Sequence, residues 1–452
     1  MATSTEGQDR SSASESTTSC PGAGDVFRTI GLPDKFMVGL DALAITTSKS
    51  FAGFRDIPPG THLLWVQQIE GVSRCGYWFV TNRTNRAVRV KEWDSYNETL
   101  GDPTTPHNTN HLESVSSDLK PYTLHDRIHD RNKTGTHWSL GDPLPEWARE
   151  PAKHWCTLTS NISLESLTRI TGKDGLGEIF VDSTDVRRDE DAPNNNSGFN
   201  FLFLQDFRDL QVLDLTGNRS ARSEDTSARI EALLSNNQGR ISEQGILAEL
   251  QFTFLTGTHI GNAACLEQWW NLVLKILLRA YHAAITRPRF TAGVIRTLHA
   301  QLLYTEYYFG SSSGSDADNQ ATDEDKRTKR DGPSSERPIF QYKPHNREKL
   351  RLALIEYKRR VSALLSGLGR SDNRTVTGEH RAVVEALEEL EAWLWRWNWD
   401  LRADPGKVTA KGLNMVNQSD MPVDSDEEED DQPVVVELDE DGREVGMVSF
   451  RD

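Results

Sequence analysis

His62-Leu63-Leu64-Trp65-Val66, Gly76-Tyr77-Trp78-Phe79-Val80 and Ala87-Val88-Arg89-Val90-Lys91-Glu92-Trp93 follow one another along one short span of the chain. Each is a β-branched or aromatic run of strand length, and Pro58-Pro59-Gly60 and Thr81-Asn82-Arg83 punctuate them with residues that favour turns. The span sets residues 26–182 as a mainly β domain. Within that range His107 to His137 is polar and without periodicity, so it reads as a loop or a short helical excursion. Gly172-Lys173-Asp174-Gly175-Leu176-Gly177 lacks both the Gly-Lys-Ser/Thr ending of a phosphate loop and the strand–turn–helix frame of a dinucleotide site, and reads as a turn.

Asp182 to Gly198 is charged, turn-rich and nearly free of apolar residues, which marks residues 183–226 as linker and connector, with Phe199 to Leu215 as a strand or ordered connector. From Ser227 the period becomes helical. Leu266, Trp270, Val273, Leu277, Ala280 and Ala284 recur at three and four, as do Leu350, Leu354, Tyr357, Val361, Leu364 and Leu368, and again Val383, Leu387, Leu390, Leu394, Trp397 and Leu401. Stripes of that width need neighbours, so residues 227–402 are expected to hold five or six helices packed as a bundle or short solenoid. Residues 310–338 interrupt them with Ser, Gly, Asp, Lys and Arg and read as a disordered insertion. The fold class is α+β: an N-terminal mainly β domain followed by an all-helical C-terminal domain.

Residues 1–25 are Ser, Thr, Gly, Ala and charged, too poor in apolar surface to offset chain entropy, and are expected to be disordered. The other end is acidic. Between Ser419 and Asp452 stand 14 acids against Arg443 and Arg451, so this segment carries −12 of the formal −17 and the first 418 residues only about −5. The low isoelectric point therefore describes a tail, residues 403–452, more than a globular surface.

Four cysteines are scattered singly, at Cys20, Cys75, Cys156 and Cys265, with no metal-ligand spacing, which points to a reducing compartment. No secretory apolar segment follows Met1, so Asn97 and Asn161 are not expected to be glycosylated. Glu267, Lys275 and Arg279 interrupt the most apolar helix and argue against a membrane span.

Candidate chemistry is sparse. Gly310-Ser311-Ser312-Ser313-Gly314 matches a nucleophile elbow in letters but lies in a Ser/Gly/Asp loop rather than between a buried strand and a helix. His125 and His129, four apart beside Asp126 and Asp130, could meet one metal on a helix; with no third ligand at fixed spacing they read as a solvated polar stretch. Lys326-Arg327-Thr328-Lys329-Arg330 could serve nuclear import or touch RNA phosphate, although Asp323, Glu324, Asp325 and Asp331 weaken either attraction. Trp393, Trp395, Trp397 and Trp399 cannot all share one helical face, so at least one should meet another domain or a partner. The chain is expected to be no enzyme and to need no cofactor or metal. A direct nucleic-acid role is not expected either, since the ordered part shows no basic stripe with interleaved aromatics.

Several strings resemble one family. Leu32-Pro33, Gly39-Leu40-Asp41, Phe51-Ala52-Gly53-Phe54 and Ile57-Pro58-Pro59-Gly60-Thr61-His62 resemble the opening of the A1-cistron-splicing factor family. Trp155-Cys156-Thr157-Leu158-Thr159 is similar to its Trp-x-x-Leu-Thr segment. Glu249-Leu250-Gln251-Phe252-Thr253-Phe254, with Gly261-Asn262 and Trp269, is similar to its central helical signature, and Pro433-Val434-Val435-Val436-Glu437-Leu438 to its closing motif. The chain departs from the pattern at Leu40, where Ile is usual, in its Ser/Thr-rich N-terminus and in insertions at Gly310–Pro338 and Ser419–Gln432. The resemblance implies a non-catalytic assembly factor of the U5 small nuclear ribonucleoprotein in pre-mRNA splicing, found in cytoplasm and nucleus. It implies binding to the large U5 scaffold, pre-mRNA-processing-splicing factor 8, at its RNase H-like and MPN-type domains, holding off the helicase that unwinds U4/U6. A general interaction adaptor with a helical peptide-binding domain is the alternative, and the isolated chain is expected to be monomeric without membrane contact.

The docking element is expected at Val434, Val435, Val436, Glu437 and Leu438, a β-branched run inside an acidic tail that has no core of its own to join. Val434, Val436 and Leu438 would share one face, with Pro433 starting the strand and Asp439 to Gly442 turning it. It could pair with a partner's sheet edge or fold back onto the chain's own β domain. Ser425, followed by Asp426, Glu427 and Glu428, stands in an acid-directed kinase context, and phosphate there is expected to favour release.

Overall fold

The computed structural model describes residues 24–68, 73–82, 87–103, 118–122, 151–175, 177–187, 198–203, 225–236, 241–308, 338–342, 345–368, 377–397, 399–403, 436–438 and 444–447. They divide into two units, Met1–Arg402 and Ala403–Asp452. The first begins with strands β1 (Asp25–Ile30), β2 (Met37–Leu40), β3 (Leu43–Thr46), β4 (Gly53–Ile57), β5 (Gly60–Gln67), β6 (Arg74–Thr81), β7 (Val88–Asp94), β8 (Thr99–Gly101) and β9 (Lys120–Pro121). Helices α1 (Pro151–Leu158) and α2 (Leu164–Thr171) follow, then β10 (Glu178–Asp182). The remaining helices of this unit are α3 (Ser227–Asn236), α4 (Glu243–His259), α5 (Ala263–Asn271), α6 (Ala283–Thr286), α7 (Pro288–Tyr308), α8 (Pro338–Tyr342), α9 (Asn346–Leu368) and α10 (Gly378–Leu394).

The strands form two five-stranded sheets, ordered β8-β7-β1-β4-β9 and β10-β6-β5-β2-β3. The three runs quoted first are β5, β6 and β7. β5 and β6 pair antiparallel over eight positions from Gly60↔Thr81 to Gln67↔Arg74, whereas β7 crosses to the other sheet and runs parallel to β1. Phe27, Phe54 and Ile57 of one sheet meet Val38, Leu40, Leu64, Val66 and Phe79 of the other in a shared core. β5 is buried almost end to end, because the sheet that contains it is covered on both faces, and such strands read as continuous apolar runs rather than alternating ones. On its second face Trp78 stacks on Trp155 of α1 at 6.5 Å and packs on Phe252 of α4 at 5.9 Å.

Two family strings acquire a steric reason here. A Cβ on Gly39 would lie 2.0 Å from the Trp65 indole, and one on Gly53, at φ +129°, would lie 2.1 Å from the Phe27 carbonyl oxygen, so neither position accepts a side chain without displacement.

Two expectations need revision. The helix read through Leu266 to Ala284 is not continuous: α5 passes into a π turn (Leu272–Ile276) and a 3-10 turn (Leu277–Arg279), and the chain breaks at Ala280 before α6. All six stripe residues are nonetheless buried, so the period reported burial and not the hydrogen-bond pattern. The range read as mainly β is a β-sheet domain, with α1 and α2 on one flank of the sheet. The insertion read as 310–338 ends earlier, since Pro338 opens α8, where a proline at the first helical position costs no hydrogen bond, and Ile339 and Phe340 are buried. Residues 309–337, with the basic cluster and the Gly310–Gly314 string, lie outside the described residues.

His62 closes the sandwich with a charge. Its Nδ1 lies 2.7 Å from Asp41 Oδ2 and its Nε2 2.8 Å from the Pro58 carbonyl oxygen, while Asp41 also accepts from the Leu63 amide at 3.0 Å and from the Tyr122 hydroxyl at 2.7 Å. A neutral imidazole has one N–H to give, so satisfying both acceptors requires the imidazolium. Burial by itself pushes the His62 pKa down; the Asp41 charge and the hydrogen bonds to Asp41 and Pro58 outweigh it against a smaller opposing effect of Arg89, and the pKa is raised. A histidine raised on folding contributes its stability fully below its unfolded pKa of about 6.5 and loses it as pH rises through the higher folded value. The melting temperature should therefore fall from pH 6.5 upward, and His62→Gln should be less stable yet flatter over that window. A melting series in which His62→Gln keeps the native slope would remove His62 as its source.

Candidate functional site

Helix α4 carries the string Glu249-Leu250-Gln251-Phe252-Thr253-Phe254, and every residue from Ile246 to His259 is buried. Each long polar side chain must then find partners inside the protein. Glu249 Oε1 accepts from the Leu202 amide at 2.8 Å and Gln268 Nε2 at 2.9 Å, and Oε2 from Arg169 at 3.0 Å. Burial pushes the Glu249 carboxyl up, and Arg169, the Leu202 amide and Gln268 offset part of that. Gln251 accepts the Asn161 amide at 2.9 Å and donates to the Thr157 carbonyl at 3.2 Å, tying α4 to the Trp155–Thr159 string. Trp155 donates to the Thr61 carbonyl at 2.9 Å and Trp78 to Thr256 at 3.0 Å. Asn262 caps α5 through the Cys265 amide and donates to the carbonyls of Asp182 and Asp185 at 2.9 and 2.7 Å, holding the end of β10. The signature residues are a buried polar framework between sheet and helices.

Three further perturbed groups are enclosed as well. Burial holds His259 and His299 down at about 3, so both are neutral, and pushes the Cys75 thiol up to about 11. Among the described residues no three of His, Cys, Asp and Glu come together as a metal site, and no helix is long and apolar enough to cross a membrane. His125 and His129 lie outside the described residues.

The tryptophan ladder divides by position. Trp393 and Trp399 are buried, Trp397 is half-buried with its ring 4.0 Å from that of Trp393, and Trp395 is 61% exposed. Val384, 38% exposed on the same helix, was not singled out by sequence, because one valine beside glutamates has no periodic signature.

In the second unit Val436–Leu438 forms β11, which pairs antiparallel with β12 (Glu444–Met447) in a two-stranded sheet, in register Val436↔Met447, Glu437↔Gly446 and Leu438↔Glu444 with a shift after Glu437. The neighbour of this strand is thus the segment just after it, an arrangement that neither of the two expected pairings included. Val434, Val435 and Ser425 lie outside the described residues.

Comparison with known proteins finds the AAR2 N-terminal domain over residues 24–172 and the AAR2 C-terminal repeat region over residues 204–402. The chain belongs to the A1-cistron-splicing factor family. Membership of this family is consistent with a splicing-related factor. Among curated proteins it is similar to "Protein AAR2 homolog" of Caenorhabditis elegans, 29% identical over 98 residues, which is 21% of this chain and 27% of that protein. The two family matches meet across the buried framework: Trp155 and Arg169 come from the first, Glu249, Gln251 and Gln268 from the second.

Removing Glu249 should expose how much that framework holds. Glu249→Ala leaves the Leu202 amide, Gln268 and Arg169 without their acceptor and is expected to cost about 3 kcal/mol, read from the denaturant midpoint. A loss under about 1 kcal/mol would mean that the donors find other partners.

Proposed function

We propose that this protein is a non-enzymatic assembly factor of the U5 small nuclear ribonucleoprotein, acting in cytoplasm and nucleus. It binds the large spliceosomal scaffold protein, pre-mRNA-processing-splicing factor 8, at its RNase H-like and MPN-type domains and holds off the U4/U6-unwinding helicase. The observation that carries this reading is the family match over both halves of the folded chain, residues 24–172 and 204–402. The tail supplies the docking element: Val434 to Leu438 adds as a strand to a sheet edge of the scaffold, main-chain hydrogen bonds giving affinity and alternating side chains giving register. A two-stranded hairpin is marginal in water, and a third strand supplies the bonding its open edge lacks. Phosphate on Ser425 adds about −1.5 to −2 charges beside the acidic run and opposes that docking.

Affinity capture from cell extract with identification of bound proteins tests the reading. The intact chain should recover the U5 scaffold without the helicase. Val435→Pro, which removes a ladder donor, should lower recovery several-fold while leaving the melting temperature unchanged. Recovery of the helicase together with the scaffold would count against the holding-off role, and undiminished recovery by Val435→Pro against the strand.

A further inference from the structure

Resting on the strand addition described above, we propose that β12 (Glu444–Met447) is a second part of the docking element. The tail meets the scaffold as a preformed two-stranded ribbon, joins it through the outer edge of β11, and leaves β12 as the last strand of the composite sheet. β11 (Val436–Leu438) and β12 pair antiparallel, with Val436 opposite Met447, Glu437 opposite Gly446 and Leu438 opposite Glu444. A strand has two edges, and along it the N–H and C=O groups of successive residues turn alternately to one neighbour and to the other. β12 takes one edge of β11 and leaves the other open, so a scaffold strand and β12 can hold β11 at the same time.

The two open edges of the ribbon are not equal. Glu437 is paired with Gly446 and Leu438 with Glu444, so Val445 stands as an extra residue on β12. An extra residue bends the strand that carries it, interrupts its ladder and blunts its outer edge, and a glycine within the strand weakens it further. β11 carries neither, and its outer edge is the better template. Charge favours the same arrangement. Of the 14 acids between Ser419 and Asp452 only Glu444 and Asp452 fall beyond Gly442, and both cations of that segment, Arg443 and Arg451, fall there too. Residues 419–442 thus hold 12 acids and no Lys or Arg, whereas residues 443–452 balance to zero and include Val445, Met447, Val448 and Phe450. A balanced strand can lie beside β11 without the like-charge repulsion that a second acidic strand would meet. Only five residues, Asp439 to Arg443, separate the two strands, a hairpin-length connection with the turn-favouring pair Asp441-Gly442. Ordering β11 before contact removes part of the entropy that a free tail would lose on docking.

Quantified capture of the U5 scaffold from cell extract, by the full chain and three variants of it, tests the proposal. A truncation after Gly442, and a chain in which residues 443–452 are replaced by Gly and Ser, both keep β11 and remove β12. Each should lower scaffold recovery about fivefold with the melting temperature unchanged, and Val435→Pro should lower it as well. Hydrogen exchange at single-amide resolution on the bound chain should show every amide from Val436 to Leu438 protected, and only part of those from Glu444 to Met447. Undiminished recovery by both β12 variants, with Val435→Pro still weak, would mean that β11 docks alone; it would overturn the role of β12 and spare the tail as the docking element. Raised recovery by those variants would make β12 a competitor for β11 and equally overturn it. Full protection along β12, with β11 protected only in part, would put the scaffold on the other edge and overturn the assignment. Undiminished recovery by Val435→Pro would remove the strand addition itself, and β12 with it.

Discussion

The folded unit depends on one helix that has no outer face. α4 is buried along fourteen consecutive residues, so it cannot be amphipathic, and its polar side chains must bond the elements that enclose it. Glu249 reaches α2, α5 and the Leu202 segment; Gln251 reaches the end of α1; Thr256 receives the Trp78 indole from β6. Apolar packing alone would let the sheet and the helices slide on one another at little cost. Directional bonds in a dry interior fix one arrangement, because any other leaves a carboxylate or an amide without a partner. The sheet and the helical layer are therefore one unit, although the sequence changes period between them.

Burial and fixed partners also account for the shifted ionisation of these groups. Strongly shifted groups often mark active sites. Three of them here lie in closed arrangements: His62 between Asp41 and Pro58, Glu249 among three donors, His259 beside Tyr304 at 2.8 Å. Both ring nitrogens of His62 face fixed acceptors, which leaves no proton to exchange with a substrate. Shift and enclosure together describe an internal frame.

How much of this could be read in advance follows from which signals are local. The β5, β6 and β7 runs were legible because a strand with both faces covered is apolar throughout, and the stripes of α9 and α10 because one buried face imposes its period. The crossing of β7 to pair parallel with β1 was not legible, since pairing across some sixty positions leaves no local trace. The break at Ala280 was hidden because a π turn followed by a 3-10 turn keeps the same residues facing inward. Glu249, Gln251, Asn262 and Gln268 look like surface residues in composition, and only the family likeness flagged three of them. The exposure of Trp395 was legible in part, because four tryptophans at alternate positions cannot share one helical face, whereas the exposed Val384, a single valine beside glutamates, leaves no periodic signal.

The acidic tail has a physical consequence for the proposed docking. A valine-rich strand with an open edge is a template for pairing with another copy of itself. The 14 acids between Ser419 and Asp452 oppose that, because two such tails brought edge to edge would face each other's charge on both flanks of the strand. The same charges cost little against a neutral or basic sheet edge. Negative charge thus discriminates among edges while the valines supply the pairing, and the two requirements explain why so apolar a run sits in so acidic a segment.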